Sequence, residues 1–176
     1  MRSARESSAN QSFLLLRHGG PFAANRAVTL ITTPEATEII GCAIRVHTKL
    51  GPGIFESVYE DCLAHELTKA QLAFRRQVVL PVVYDGVEMR RAFVVDLIVE
   101  EQVLVEIKSA QTILPVHGKQ VLTYMRLSGL EKGLLFNFNE DRLKDGIKSF
   151  VLHRRTEGTE RSEGSRTEAR SNGGTE

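Results

Sequence analysis

FVVDLIVEEQVLVEIKSA, residues 93–110, is two runs of Val, Leu and Ile broken by Glu100-Glu101-Gln102. Branched side chains suit pleated backbone, and runs this apolar belong to strands covered on both faces. A three-residue loop at 100–102 sets residues 99 and 103 opposite each other, and the same register sets Asp96 opposite Glu106. Glu106 and Lys108 are two apart and so project from one face. Two carboxylates facing each other in an apolar sheet repel and are poorly solvated, which is unfavourable unless a cation or a proton compensates. Lys108 supplies one positive charge, and a divalent metal would supply the rest.

Two readings of these charges stay open from spacing alone. In one, the carboxylates hold Mg²⁺ or Mn²⁺ through oxygen ligands, the metal acidifies bound water and neutralises a phosphate, and Lys108 stabilises the transition state. In the other, Glu106 and Lys108 are a buried ion pair and Asp96 sits at a solvated strand end. The D-x₉-E-x-K spacing is loose and selects neither.

Working outward, Asp85-Gly86 signals a hairpin. It joins a strand at Val78–Tyr84, in which Pro81 predicts an edge or a bulge, to a second strand at Val87–Val99. A third strand spans Val103–Ser109. Before them, Thr33-Pro34-Glu35 reads as a helix start, and Ile39, Ile40, Ala43, Ile44, Val46 and Leu50 predict its apolar stripe. Gly51-Pro52-Gly53 breaks that helix and aims a second one, from about Ile54 to Gln71. On it Phe55, Val58 and Cys62 lie on one side, and Glu56, Tyr59 and Leu63 on the adjacent one. Helical spacing returns from Pro115 to about Leu127. Strands follow at Leu134–Phe138 and Ile147–Leu152, with a short turn or helix at 139–145 between them. A block of strands with helices on either side gives an α/β (α+β) layered fold with a central mixed sheet.

The 176 residues suit one domain. Residues 1–33 lack periodicity, and 153–176 contain no large apolar residue; both are expected to be disordered extensions flanking a domain at 34–152. Removing the four basic and one acidic residue of 1–33, and the five and five of 153–176, from the 23 and 22 of the whole chain leaves 14 basic against 16 acidic residues in the domain. Nucleic acid would therefore bind in a local cleft and not through bulk positive charge. Cys42 and Cys62 are too few for a disulfide scaffold, lack zinc-ligand spacing, and fall on apolar helix faces. No stretch has the composition of a signal peptide or a membrane span, so a cytoplasmic location without membrane attachment is expected.

A wider likeness bears on the choice of reading. Gly53-Ile-Phe-Glu56-Ser-Val-Tyr59 resembles the signature of the GxxExxY family, small proteins assigned to the PD-(D/E)XK nuclease superfamily. The segments LPVVYDGV, VDLIVEEQVLVEIKSA, LPVHGKQVLTYMRLSGL and GLLFNFNEDRLKDGIKSFV are similar to that family in its usual order, so the resemblance spans roughly 35–152. It implies a restriction-endonuclease-like core with Asp96, Glu106 and Lys108 as the D…ExK set. It also implies that Glu56 is an extra acid from the first core helix, that the Ile107 carbonyl is a further metal ligand, and that Gln120 and Tyr124 form a Q-x-x-x-Y element beside the scissile phosphate. The implied activity is Mg²⁺- or Mn²⁺-dependent hydrolysis of nucleic-acid phosphodiester bonds, DNA or RNA. The alternative is a non-catalytic module of the same fold that binds nucleic acid or a protein partner.

One departure is that Val94 and Val95 stand where the family often has Arg or another polar residue before the aspartate. The five histidines form no zinc-like cluster; His47 and His65 are expected to pack at helix edges, and His117 to sit near Gln120 at most. Gly51-Pro52-Gly53 lacks the Lys-Ser/Thr of a phosphate loop.

Overall fold

A computed structural model describes residues 33–152. The expectations for the two terminal extensions, Thr33 apart, lie outside the described residues. The order is α1 (Pro34–Leu50), α2 (Glu56–Lys69), β1 (Phe74–Tyr84), β2 (Val87–Val99), β3 (Val103–Lys108), α3 (Pro115–Ser128), β4 (Lys132–Asn137), a short 3₁₀ turn (Leu143–Gly146) and β5 (Ile147–Val151). Five strands form one sheet in the order β1-β2-β3-β4-β5. Only β3 and β4 run parallel, joined through α3, because a parallel return needs a crossover.

Helix α1 starts as its sequence predicts, with the Thr33 hydroxyl accepting from the Ala36 N–H and Pro34 in the first turn. Its buried stripe is narrower than the apolar pattern suggested. Ala36, Ile39, Cys42, Ala43, Val46 and His47 are buried, whereas Ile44 and Leu50 are exposed. Helix α2 likewise buries Tyr59, Leu63 and Leu67, not the Phe55 and Val58 side, and Phe55 is 84% exposed. The reason is a ring contact: Tyr59 stacks on Phe138 with centroids 4.3 Å apart, which rotates α2 so that its Tyr59 face meets the sheet. Cys42 is buried and Cys62 half-buried, both as free thiols.

Helices α1 and α2 cover one face of the sheet together with Leu97, Val99, Val103, Val105, Ile107 and Phe136. Helix α3 covers the other with Leu104 and Leu135 beneath it. Gly133 lets α3 approach, since a Cβ there would lie 2.6 Å from the Met125 sulfur. The Asp85-Gly86 turn forms with both φ angles positive, and the irregularity foreseen at Pro81 is a register shift between Leu80 and Val82. Strands β1 and β4 begin earlier than predicted, at Phe74 and Lys132.

One irregularity was not foreseen. The β1–β2 pairing runs from Phe74↔Val99 to Arg76↔Leu97, skips Gln77 and Asp96, and resumes at Val78↔Val95. Gln77 has φ 49°, a left-handed conformation uncommon outside glycine. Across this step the strands exchange faces. Phe74, Leu97 and Val99 belong with α1 and α2, whereas Val78, Leu80, Phe93 and Val95 belong with α3. Asp96 sits at the point of exchange. Among the described residues no helix is long and apolar enough to cross a membrane.

Candidate active site

The β2–β3 ladder has the register read from the sequence: Val99↔Val103, Ile98↔Leu104 and Leu97↔Val105. The next pair would be Asp96 and Glu106, and there the ladder stops. The Asp96 carboxylate takes the place of a strand neighbour, its Oδ2 accepting from the Ile107 N–H at 2.7 Å. The sheet is thus splayed at its two acids, with an aspartate capping the freed backbone donor.

Glu106 and Lys108 follow Leu104 by alternation and lie on the α3 side. Their side chains meet directly: Lys108 Nζ donates to Glu106 Oε1 at 2.6 Å, with the Glu106 side chain only 3% exposed. The ion-pair reading of the sequence is therefore correct about this contact, but it does not exhaust the group. Glu106 Oε2 is buried and has no hydrogen-bond partner among the described residues.

The remaining predicted residues arrive from both layers. Glu56 opens α2, and its Oε1 accepts from the Ser109 N–H at 2.9 Å, just past the end of β3. The Ser109 hydroxyl donates to the Ile54 carbonyl at 2.7 Å, so the helix start and the strand end are tied twice. The Tyr59 hydroxyl donates to the Gly51 carbonyl at 2.6 Å and accepts from the Ile54 N–H at 3.2 Å, fixing the loop that carries Glu56. On α3, Gln120 donates to the buried Tyr124 hydroxyl one turn away, and the Tyr124 ring packs on Phe93 of β2 with centroids 5.2 Å apart. His117 is half-buried on the same stripe of α3, and its Nδ1 is buried without a partner among the described residues. Val95 is buried under α3, Val94 is exposed, and Lys119 faces water. His47 is buried and within hydrogen-bond distance of the Glu140 carbonyl at 2.8 Å, whereas His65 is exposed.

Asn137 is a supporting residue that sequence reasoning passed over. It is fully buried at the end of β4, opposite Lys108 in the parallel ladder. Its amide donates to the Ala110 carbonyl at 2.9 Å and accepts from the Ala110 N–H at 3.0 Å, anchoring the chain as it leaves β3. The available signal was an amide inside the apolar run GLLFNF.

The electrostatics are those of acids short of positive charge. Burial pushes the Glu106 carboxyl up to about 7, the neighbouring Asp96 charge adds to the rise, and the Lys108 hydrogen bond opposes it. Burial also raises Asp96, against the Ile107 N–H. Lys108 is held above its ordinary value although burial opposes this, because Glu106 accepts its hydrogen bond and Glu56 and Asp96 add negative charge. Burial raises Tyr124 as well, and Glu106 and Asp96 add to the rise.

Mg²⁺ takes oxygen ligands, commonly one or two carboxylates with water and phosphate completing the shell. An orphaned buried carboxylate oxygen on Glu106, beside an Asp96 whose proton affinity is also raised, fits such an ion. Among the described residues no three His, Cys, Asp or Glu side chains are gathered into a ready-made cage. The arrangement thus matches a two-carboxylate site more closely than the three-acid convergence that the resemblance implied. In comparison with known proteins, residues 33–150 match the family model of the PD-(D/E)XK nuclease superfamily. No curated protein and no solved structure matches.

Proposed function

The chain belongs to the PD-(D/E)XK nuclease superfamily, and we propose that it is a divalent-metal-dependent phosphodiesterase of the GxxExxY type that cleaves nucleic acid. The observation that carries this reading is the buried, unpartnered Glu106 Oε2 beside Asp96. A structural ion pair has no use for a second acid at that position, whereas a metal-binding carboxylate does.

In this reading Asp96, Glu106 and the Ile107 carbonyl would hold Mg²⁺ or Mn²⁺, with Glu56, which accepts from the Ser109 N–H, as the additional acid. An ion bound there would acidify a water and neutralise charge on the phosphate. Lys108, already hydrogen-bonded to Glu106, places an ammonium where a phosphate oxygen gains charge. Gln120, half-buried, fixes the buried Tyr124 hydroxyl and is the member of the pair that would reach the strand being cut. The mild acidity of the domain leaves the site itself, and not the general surface, as the point of entry for nucleic acid.

The test is incubation of purified protein with single-stranded and duplex DNA and RNA in Mg²⁺ or Mn²⁺. Cleavage that disappears in both Asp96→Ala and Glu106→Ala supports the proposal, and cleavage at the wild-type rate in Glu106→Ala refutes it. A second reading, a nuclease-fold binding module without hydrolysis, draws on the direct Lys108–Glu106 contact and on Val94 and Val95 before the aspartate. It predicts nucleic-acid binding with no turnover in any metal.

A further inference from the structure

Among the described residues, Lys108 pairs with Glu106, and Arg76 with Glu60 and Asp61. Lys148 differs. It lies on β5, is half-buried, and has no ion pair or side-chain hydrogen bond among the described residues.

Its position follows from the registers. Glu106 pairs with Leu135 across β3 and β4, and Leu135 pairs with Lys148 across β4 and β5. Paired residues share a face, so Glu106, Leu135 and Lys148 form one row across three strands on the α3 side, where Leu135 packs. Two strand spacings place the backbones of Glu106 and Lys148 about 10 Å apart. A stacked nucleic-acid strand carries a phosphate for every ~3.4 Å of rise, so the two ends of the row lie a few phosphates apart, with Leu135 between them buried under α3. The first turn of α3 lies over the same strand: a Cβ on Gly118 would sit 3.3 Å from the Phe150 ring. That turn carries no acid, and Lys119 beside it is exposed. The catalytic face is therefore acidic at β2 and β3 and cationic at β5.

We infer that Lys148 binds a backbone phosphate flanking the scissile one, so that the β5 end of the row positions the nucleic-acid strand while the Glu106 end cuts it. The inference rests on the nuclease reading for the identity of the cutting end. A long apolar stem lets a half-buried lysine keep its ammonium in water, which is how a point charge meets a phosphate.

The test uses the full chain, a fluorescent 12-nucleotide single-stranded DNA and an RNA of the same sequence, with Ca²⁺ replacing Mg²⁺, across 50–200 mM salt. Lys148→Gln, which keeps the stem and removes the charge, is expected to weaken binding roughly 5- to 10-fold and to lower the slope of log affinity against log salt by about one phosphate contact. Lys148→Arg should restore both, and Lys144→Ala, an exposed cation on the 3₁₀ turn, should change neither. Hydrolysis of bis(p-nitrophenyl) phosphate, a lone diester too small to span the row, should be unchanged in Lys148→Gln. Wild-type affinity and slope in Lys148→Gln would overturn the inference, as would equal losses in Lys148→Gln and Lys148→Arg, which mark a packing defect. Failure of the nuclease reading shows up separately, as diester hydrolysis that is absent or indifferent to Glu106→Ala while the binding comparison still reports on Lys148.

Discussion

Two buried glutamates, Glu66 on α2 and Glu106 on β3, have side chains 4% and 3% exposed and opposite chemistry. Glu66 receives three cations: Lys49 at 2.9 Å, Lys69 at 3.1 Å and Arg45 at 2.9 Å. Those hydrogen bonds, Lys49 first, hold its carboxyl down to about 2. Glu106 receives one cation and faces Asp96, and burial pushes it up to about 7. Equal concealment from solvent thus yields a structural clasp between α1 and α2 in one place and an acid still lacking positive charge in the other. Burial alone does not mark a functional acid; the shortage of compensating charge does.

The largest effect that separates the two regions is on turnover. Asp96→Ala and Glu106→Ala are each expected to lower cleavage by at least about 100-fold, as loss of a group that stabilises charge in the transition state typically does. Glu66→Gln should leave turnover per folded molecule within about twofold of wild type, and lower the melting temperature instead. Parallel cleavage assays and thermal melts of the three variants measure both halves. If Glu66→Gln lost activity as severely as Glu106→Ala, the division into clasp and site would be broken.

The next effect is on stability against pH, and the signs are opposite. The Glu106 pKa is about 7 folded against 4.5 as an isolated side chain, so its contribution is fully present below about 4.5 and is lost as pH rises through about 7. The raised Asp96 acts in the same direction. The Glu66 pKa is about 2 folded, so its contribution is present above about 4.5 and is lost as pH falls toward 2. Metal-free protein should melt highest near pH 5. Glu106→Gln should flatten the fall toward pH 8, raising stability there by about 1–3 kcal/mol, and Glu66→Gln should flatten the fall on the acid side.

Mg²⁺ or Mn²⁺ sharpens the same contrast. Ligation needs the deprotonated carboxylate, so the rise in melting temperature on adding metal should grow from pH 6 to pH 8 as Glu106 ionises. Asp96→Ala should abolish the rise, and Glu66→Gln should keep it. Melts at fixed ionic strength decide this, and an equal rise in wild type and Asp96→Ala would remove the metal site from the proposal.

How far these regions could be read from the chain depends on the range of the physics involved. The Asp96–Glu106 juxtaposition was legible because period-two alternation and a three-residue turn fix register over ten residues. The Asp85-Gly86 hairpin and the cap at Thr33 are also local. Glu66 drew no attention in the sequence, since Arg45 and Lys49 lie 21 and 17 residues away on another helix and meet it only after α1 and α2 pack. The face exchange at Gln77 and Asp96 was hidden because glutamine gives no sign of a left-handed backbone. Ile44, read into the α1 stripe, is exposed, and on α2 apolar spacing left two adjoining faces open, between which the Tyr59–Phe138 stack chose.

The smallest effect comes from removing one cation from each acid. Lys69 is half-exposed, and Glu66 keeps Lys49 and Arg45 without it. Solvent and salt screen such a contact, so Lys69→Ala should move the melting temperature by no more than roughly 2 °C. Lys108 is the cation that hydrogen-bonds Glu106, and it is mostly buried. Lys108→Met should leave Glu106 protonated at neutral pH, shifting the alkaline fall in metal-free stability to higher pH while changing the melting temperature at pH 6 little. The position of that fall, not the height of the melt, is therefore the readout that separates a carboxylate with reserve partners from one that depends on a single amine. If both lysine variants shifted only the height, Glu106 would be as fully compensated as Glu66, and its orphaned oxygen would no longer call for a metal.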